Sequence, residues 1–314
     1  MSGEASLGER LFMSIPHSEF RIPHSVRGAA VQIVDSHVHF WDPGGIHYPW
    51  LKSVPALDRA FLPSDYAAAT DGTAITQLVF VEGNCRPEEA PRELEWVERL
   101  AQVEPRIAGI VAFADLTEGL GTLGSGLERT LDELASSPRV KAIRHNIQGQ
   151  PRGFALQPAF VEGVRAVARR GLTFDLCVTH EQLREVTDLV RRSPDTRFVL
   201  DHCGKPAIRH GRLEPWRSDI ACLAAQENVC CKLSGLLTEA EPQRRRDEDL
   251  TPYAASVVEC FGTERVLYGS DWPVVTLAGS WGDWYGFTER FTAAWTAAER
   301  RRFYADNAIR VYAL

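Results

Sequence analysis

The 314-residue chain lacks an apolar run long enough to cross a membrane, and it has no convincing signal peptide. It also lacks a disulfide framework, because its seven cysteines are odd in number and show no regular spacing. The net charge is −7, and basic residues cluster only at residues 244–246, where three acidic residues follow at once. These absences predict a cytoplasmic protein with reduced thiols that binds neither membranes nor nucleic acids.

Two further features are missing, a linker between domains and a Gly-x-Gly-x-x-Gly motif after an early strand. Without a linker, residues 31–314 are predicted to form a single domain. Without the glycine motif, an open doubly wound sheet is only the second choice of fold. Residues 1–30 contain Gly, Ser, Pro and scattered charge without periodicity, which predicts a flexible N-terminal extension outside the fold.

The remainder of the chain alternates regularly between two kinds of segment. Apolar runs typical of buried strands are followed by segments whose apolar residues recur at helical spacing. Eight such strands in a chain of this length predict a closed (β/α)₈ barrel, the TIM barrel. The predicted strands are 31–40, 76–81, 107–114, 140–147, 172–178, 197–200, 229–233 and 266–268. The predicted helices are 87–103, 127–134, 159–169, 181–192, 215–226 and 253–260.

Ionisable residues follow the ends of most of the predicted strands, and in this barrel those C-terminal ends carry the catalytic groups. His37 and His39 belong to the first strand, where alternation places both side chains on one face. Two imidazoles that converge from one strand can bind a metal or polarise a substrate. The other ionisable or hydroxyl residues at these strand ends are Glu82, Asp115, Arg144, His145, Thr179, His180, Asp201, His202, Lys232, Ser234, Ser270 and Asp271.

Five short motifs lie at these strand ends. The runs 35–43 (DSHVHFWDP), 201–206 (DHCGKP) and 268–273 (YGSDWP) resemble the metal-dependent hydrolase branch of the amidohydrolase superfamily, the amidohydrolase-2 type. The runs 144–148 (RHNIQ) and 231–236 (CKLSGL) are similar to its sugar-lactonase group, which includes L-fuconolactonase-like and L-rhamnonolactonase-like enzymes. The resemblance extends from about residue 31 to the C-terminus and implies a barrel that hydrolyses a lactone ring.

The resemblance also implies where the reaction takes place. One divalent metal ion, with Zn²⁺ as the first choice, would be bound by His37, His39 and Asp271. His180 and His202 are further candidate ligands. Metal dependence itself stays open, because the family includes lactonases that work without a metal.

A bridged two-metal centre is not implied. Superfamily members with such a centre have a lysine or glutamate on the fourth strand, where this chain has Arg144 and His145.

Two residues are expected to act on the lactone directly. Asp271 would take a proton from water as general base and return it to the leaving hydroxyl as general acid. The alternative is a turn aspartate without a catalytic role. His202 would complete the site from the sixth strand, and its alternative is a buried histidine bonded to Asp201.

Five residues are candidates to bind the substrate. Arg144 and His145 could hold its hydroxyls or a carboxylate, although a salt bridge is an equal alternative for Arg144. Glu82 would accept bonds from sugar hydroxyls or pair with Arg144. Trp41 could stack on a sugar ring, but packing is the more common role. Lys205 is either a substrate contact or a solvated loop charge.

The sequence therefore predicts a lactonase-type hydrolase that opens a sugar-acid lactone or a related carboxylated lactone by attack of water on the ester carbonyl. The alternative is a zinc-dependent decarboxylase of an unsaturated or aromatic acid, since that chemistry uses the same barrel and a similar centre. The expected partner is a small-molecule lactone. The oligomeric state is not fixed by the sequence, and a homo-oligomer is compatible with it.

Overall fold

Eight parallel strands form the centre of the protein, seen in a computed structural model that describes residues 31–117, 126–241 and 246–314. Each strand pairs in parallel with the next one along the chain, which confirms the predicted (β/α)₈ barrel. The predicted extension, residues 1–30, lies outside the described residues. The strands are β1 (Ile33–Val38), β2 (Ile75–Val81), β3 (Ile107–Phe113), β4 (Val140–Arg144), β5 (Thr173–Leu176), β6 (Phe198–Leu200), β7 (Val229–Leu233) and β8 (Val266–Tyr268).

Helices occupy most of the connections between strands. In the described part of the chain, none is long and apolar enough to span a membrane. They are α1 (Pro63–Ala69), α2 (Ala90–Val103), α3 (Gly126–Ser136), α4 (Pro158–Arg169), α5 (Leu183–Arg192), α6 (Trp216–Ala224), α7 (Leu236–Glu239), α8 (Asp247–Phe261), α9 (Trp281–Phe291), α10 (Ala297–Arg301) and α11 (Asn307–Tyr312).

Helix α8 begins six residues earlier than the sequence predicts, at Asp247 rather than at residue 253. Its first turn is acidic, which suits the positive end of the helix dipole, and the carboxylate of Asp249 accepts the Arg246 amide at 3.2 Å.

Helix α9 was not predicted. It buries an aromatic face in which Trp281, Trp284 and Phe287 follow one another at intervals of three residues.

Helix α11 covers the end of the barrel at which the strands begin. The Asn307 side chain donates to the Val266 carbonyl at 2.9 Å, and Thr173 donates to the Val311 carbonyl at 3.4 Å. Apolar residues of this helix and the residues just before it pack against inner residues of the strands. Apart from the main hydrophobic core around the barrel, these residues form a second core cluster. It contains Val34, Val79, Val81, Val111, Ala142, Val199, Cys230, Leu267, Ala305, Ala308, Val311 and Tyr312. The helix therefore acts as a plug opposite the predicted catalytic end.

The barrel closes where the segment after β8 meets β1. The Asp271 amide donates to the His37 carbonyl at 2.9 Å, and the His39 amide donates to the Trp272 carbonyl at 2.8 Å. Behind this contact, the buried carboxylate of Asp35 accepts the Ser270 amide at 2.8 Å. Closure thus brings the end of the chain's eighth strand beside the paired histidines of its first.

The plug provides a test of the fold. Ala308 is buried in the second core cluster, so we expect Ala308→Asp to lower the free energy of unfolding by about 3 kcal/mol or more, since an unpaired charge would be buried there. Denaturant unfolding followed by circular dichroism measures this change. The matched control is Ala298→Asp on exposed α10, expected to change stability by less than about 0.5 kcal/mol. Equal losses in both variants would contradict the plug.

Candidate active site

Three ligand atoms converge at the catalytic end of the barrel. Nε2 of His37 lies 3.1 Å from Nε2 of His39, and Oδ1 of Asp271 lies 3.7 Å and 3.4 Å from these two nitrogens. All three side chains are buried. Asp271 adopts a left-handed backbone conformation (φ +59°) just after β8, which a non-glycine residue rarely adopts.

The spacing of these atoms fits a metal ion. A tetrahedral ion with bonds of about 2.0–2.1 Å separates its ligand atoms by about 3.3 Å, and the three observed distances lie around that value. Nδ1 of His39 lies 2.8 Å from the Val81 carbonyl and donates to it, so the neutral tautomer of His39 with this contact has no proton on Nε2. A bare nitrogen beside a carboxylate is the donor chemistry that a divalent cation requires.

His202 lies beside this cluster, with its ring centroid 4.4 Å from that of His37. Its Nδ1 is 2.9 Å from the Ser234 hydroxyl and 3.8 Å from Oδ2 of Asp271. Burial lowers the pKa of His202 to about 4, so the ring is neutral at pH 7. Gly235 has a positive φ (+68°) and approaches the ring so closely that a Cβ there would lie 2.7 Å from the Cβ of His202.

The pKa values of the cluster follow from its burial and its contacts. Burial lowers the pKa of His37 well below its usual value, which keeps this ring neutral as well. Burial also raises the pKa of Asp271, but the nearby His202 and His39 outweigh this effect and hold the pKa below its usual range. The site therefore presents the neutral rings of His37 and His202 beside one ionised carboxylate.

Arg144 does not point a free guanidinium into the site. Its Nε lies 2.5 Å from Oε1 of Glu82, and its Nη1 lies 3.3 Å from Oδ2 of Asp201. All three side chains are buried. Arg144 is thus neutralised within the protein, as the salt-bridge alternative of the sequence analysis describes.

A second group of buried ion pairs lies next to His37, and one of its three residues was not predicted from the sequence. Lys232 Nζ is 2.6 Å from Oδ2 of Asp175 and 3.0 Å from Oδ1 of Asp201. Asp175 was not predicted because it lies inside a strand rather than at its end. The available signal was an aspartate between Phe174 and Leu176, since a charge in such an apolar run needs a buried partner.

The buried charges around the cluster do not cancel. The side chains that form ion pairs with the histidine rings of the cluster or with one another comprise four carboxylates and two cations, which leaves two negative charges unbalanced among them. Burial and the nearby Asp201 raise the pKa of Asp175 to about 6 against the effect of Lys232, so it is still ionised at pH 7. One divalent cation would balance this deficit. The carboxylates are Glu82, Asp175, Asp201 and Asp271, and the cations are Arg144 and Lys232.

His145 and Trp41 are both buried beside the site. Nδ1 of His145 accepts the Leu116 amide at 3.2 Å, and the ring packs against Phe160. The Trp41 indole donates to the Arg59 carbonyl at 2.9 Å and has no exposed surface to offer a sugar ring. Trp41 therefore serves as packing in this structure.

Lys205 and His180 are only partly buried and lie next to each other. Nδ1 of His180 is 3.1 Å from the Lys205 carbonyl, and Lys205 Nζ donates to the Gln148 side chain at 2.5 Å. His180 is not among the residues whose ligand atoms converge within 4.8 Å in the described part of the chain.

Residues 34–314 match the amidohydrolase family. The chain belongs to this family. An L-fucono-1,5-lactonase from Burkholderia multivorans is 32% identical over 294 residues, which cover 90% of this chain and 96% of the relative. A 2-pyrone-4,6-dicarboxylate hydrolase from Comamonas testosteroni is 24% identical and covers 89% of both chains. The expected membership of the amidohydrolase superfamily is therefore confirmed.

A solved amidohydrolase structure from Burkholderia multivorans superposes with a TM-score of 0.79 at 31% identity. The match covers 90% of this chain and 99% of the solved one, which was crystallised with bound zinc.

Glu93 is a buried carboxyl group that supports this end of the barrel from α2. Its Oε1 accepts the Gly83 amide at 3.0 Å. Burial and the neighbouring Glu82 raise the pKa of Glu93 to about 8. Because the pKa is higher in the folded than in the unfolded state, protonation favours folding, and this contribution is lost as the pH rises from about 4.5 through 8.

This pKa gives a test of the site's surroundings. We expect Glu93→Gln to match the wild type in stability near pH 4.5 and to exceed it by about 1 kcal/mol or more at pH 8.5, since glutamine stays neutral. Urea unfolding at both pH values measures the difference. Glu95→Gln on the exposed side of α2 is the control and should show no such pH dependence. A wild-type advantage at pH 8.5 would contradict the raised pKa.

Proposed function

We propose that this protein is a lactone hydrolase that opens the ring of an uncharged, polyhydroxylated sugar lactone. The convergence of His37, His39 and Asp271 is the observation that carries the proposal. The lactonase activity of the 32% identical relative supports it. The finer choice of an uncharged lactone comes from the ion pairs around the site.

In this proposal, His37, His39 and Asp271 hold one divalent ion, with zinc as the first choice because the similar solved structure was crystallised with zinc. A bound zinc ion would polarise the lactone carbonyl and lower the pKa of water. His202 is the next candidate ligand, since its ring centroid lies 4.4 Å from that of His37, but as a ligand it could not also donate a hydrogen bond from Nε2 to the substrate. His180 is a weaker candidate because it lies outside the convergent group.

The chain's own residues then move the protons. Asp271 takes a proton from the attacking water as the water oxygen bonds to the carbonyl carbon. The Ser234 hydroxyl can donate to Nδ1 of His202, and Nε2–H of His202 would then donate to the carbonyl oxygen as negative charge develops. When the ester C–O bond breaks, Asp271 returns its proton to the ring oxygen. The product is a hydroxy acid.

The charge balance favours an uncharged substrate over a carboxylated one. A carboxylate bound in the buried part of the site needs a free buried cation, but Arg144 is already paired with Glu82 and Asp201. Breaking either pair would leave a buried charge without a partner, which costs about 3–5 kcal/mol. Sugar hydroxyls need only hydrogen-bond partners. His145, Glu82 and Lys205 remain candidates for these contacts, with Lys205 the most accessible.

The base can be tested by Asp271→Asn. We expect this variant to fold but to lose lactone hydrolysis by about 10³-fold or more, because the amide cannot accept the proton of water and is a poorer metal ligand. A pH-indicator assay measures acid release. The control, Asp58→Asn, changes an exposed aspartate and should retain full activity. Substantial turnover by Asp271→Asn would exclude Asp271 as the base.

Metal and substrate can be tested together on the wild-type protein. We expect chelation to stop acid release and added zinc to restore it. In the same assay, neutral aldonolactones should be opened at least tenfold faster than lactones that carry a carboxylate. Activity that survives complete metal removal would contradict the metal site, and a preference for carboxylated lactones would contradict the substrate class. Release of CO₂ from an unsaturated or aromatic acid would instead favour the decarboxylase alternative.

A further inference from the structure

A buried chain of polar groups connects the plug to His37. The Tyr312 hydroxyl of α11 donates to Oδ2 of Asp175 at 2.8 Å, and that same oxygen accepts from Lys232 Nζ at 2.6 Å. Lys232 also lies 3.0 Å from Oδ1 of Asp201. Lys232 is fully buried, and both of its carboxylate partners are buried with it. Lys232 is therefore a fixed, charged donor.

Nδ1 of His37 has partners of both kinds within reach. Lys232 Nζ lies 3.3 Å away and can only donate, whereas Oδ1 of Asp201 lies 3.2 Å away and can only accept when ionised. A neutral imidazole carries one proton, so Nδ1 can satisfy only one of these two partners at a time. The choice decides whether Nε2 of His37 carries a proton.

The surroundings of Nε2, the other ring nitrogen of His37, can accommodate either tautomer. In the neutral tautomer of His39, Nε2 has no proton, because Nδ1 of that ring donates to the Val81 carbonyl. The 3.1 Å contact between the two Nε2 atoms is therefore a hydrogen bond only when His37 carries its proton on Nε2. A metal ion at the same place requires both nitrogens to be bare.

We propose that Lys232 and Asp201 are positioning residues that hold His37 in two alternative tautomers, Lys232 in the metal-free protein and Asp201 in the metal-bound protein. Without metal, Lys232 donates to Nδ1, and Nε2–H of His37 donates to His39. With metal, the ring loses the proton on Nε2 and gains one on Nδ1, which donates to Asp201. The number of protons on the ring is unchanged. This inference rests on the metal site of the proposed function.

The two tautomers would explain why a buried lysine lies next to a metal-binding histidine. A cation there costs desolvation and would repel a metal ion, unless its charge is balanced by carboxylates. Asp175 and Asp201 provide that balance, and Asp201 also accepts from Arg144. Both ring nitrogens of His37 thus keep a partner in either state: two hydrogen bonds without the ion, and one hydrogen bond plus the metal bond with it.

The experiment is nitrogen-15 NMR of histidine-labelled protein, since the shifts of the two ring nitrogens report which one carries the proton. The His37 signals are assigned by comparison with His37→Gln. We expect the proton on Nε2 in metal-free wild type and on Nδ1 after titration with zinc. A proton already on Nδ1 in the metal-free protein, or on both nitrogens, would overturn the inference.

Two variants test the partners separately. In metal-free Lys232→Met, the ring proton of His37 should move from Nε2 to Nδ1, because Asp201 remains 3.2 Å away. The control Lys52→Met, at an exposed site, should leave the spectrum unchanged.

Asp201→Asn should weaken zinc binding, measured by chelator competition, by about 10- to 100-fold. Its control is Asp195→Asn, which should bind zinc as the wild type does. An unchanged tautomer in Lys232→Met or unchanged affinity in Asp201→Asn would contradict the assigned roles.

The wild-type spectra keep the inference testable if Lys232→Met fails to fold. They also separate it from the proposed function. If zinc does not bind, the metal-bound half is overturned together with the metal site, and the metal-free spectrum still decides the role of Lys232.

Discussion

The contact between β1 and the segment after β8 is the constraint on which the candidate site depends. Two backbone hydrogen bonds join His37 and His39 to Asp271 and Trp272, and Asp35 fixes the Ser270 amide behind them. The Tyr66 hydroxyl, on α1, and the Trp281 indole, on α9, both donate to Asp35. Helices α1 and α9 thus both help to hold the first and last strands in one register. Without that register, the carboxylate and the two imidazoles would not share one point in space.

Electrostatics impose a second constraint. A barrel core that contains Glu82, Asp175 and Asp201 requires cations, and Arg144 of β4 and Lys232 of β7 supply them. The pairs are so complete that neither cation is free for a substrate. The negative charge that remains is concentrated at the cluster that contains Asp271. The same distribution supports both the proposed metal site and the proposed uncharged substrate.

Regular patterns in the sequence were sufficient to predict most of the fold. The strands lie within a few residues of their predicted bounds, because buried parallel strands are continuous apolar runs. Helices α1, α7, α9, α10 and α11 were missed, since short length and aromatic residues weaken the periodic signal. The paired histidines followed from strand alternation. Arg144 was left open between a substrate contact and a salt bridge, because strand position does not reveal the partner of a charged side chain.

The sequence by itself determined the barrel, the family and the strand ends that carry reactive groups, because these depend on local periodicity and on short motifs. Only the tertiary structure decided which of those groups meet. It brings Asp271 to His37 and His39 through barrel closure, and it places Tyr312 beneath the site through the plug. These contacts join residues more than a hundred positions apart. Their distances depend on how the strands close, which no local pattern encodes.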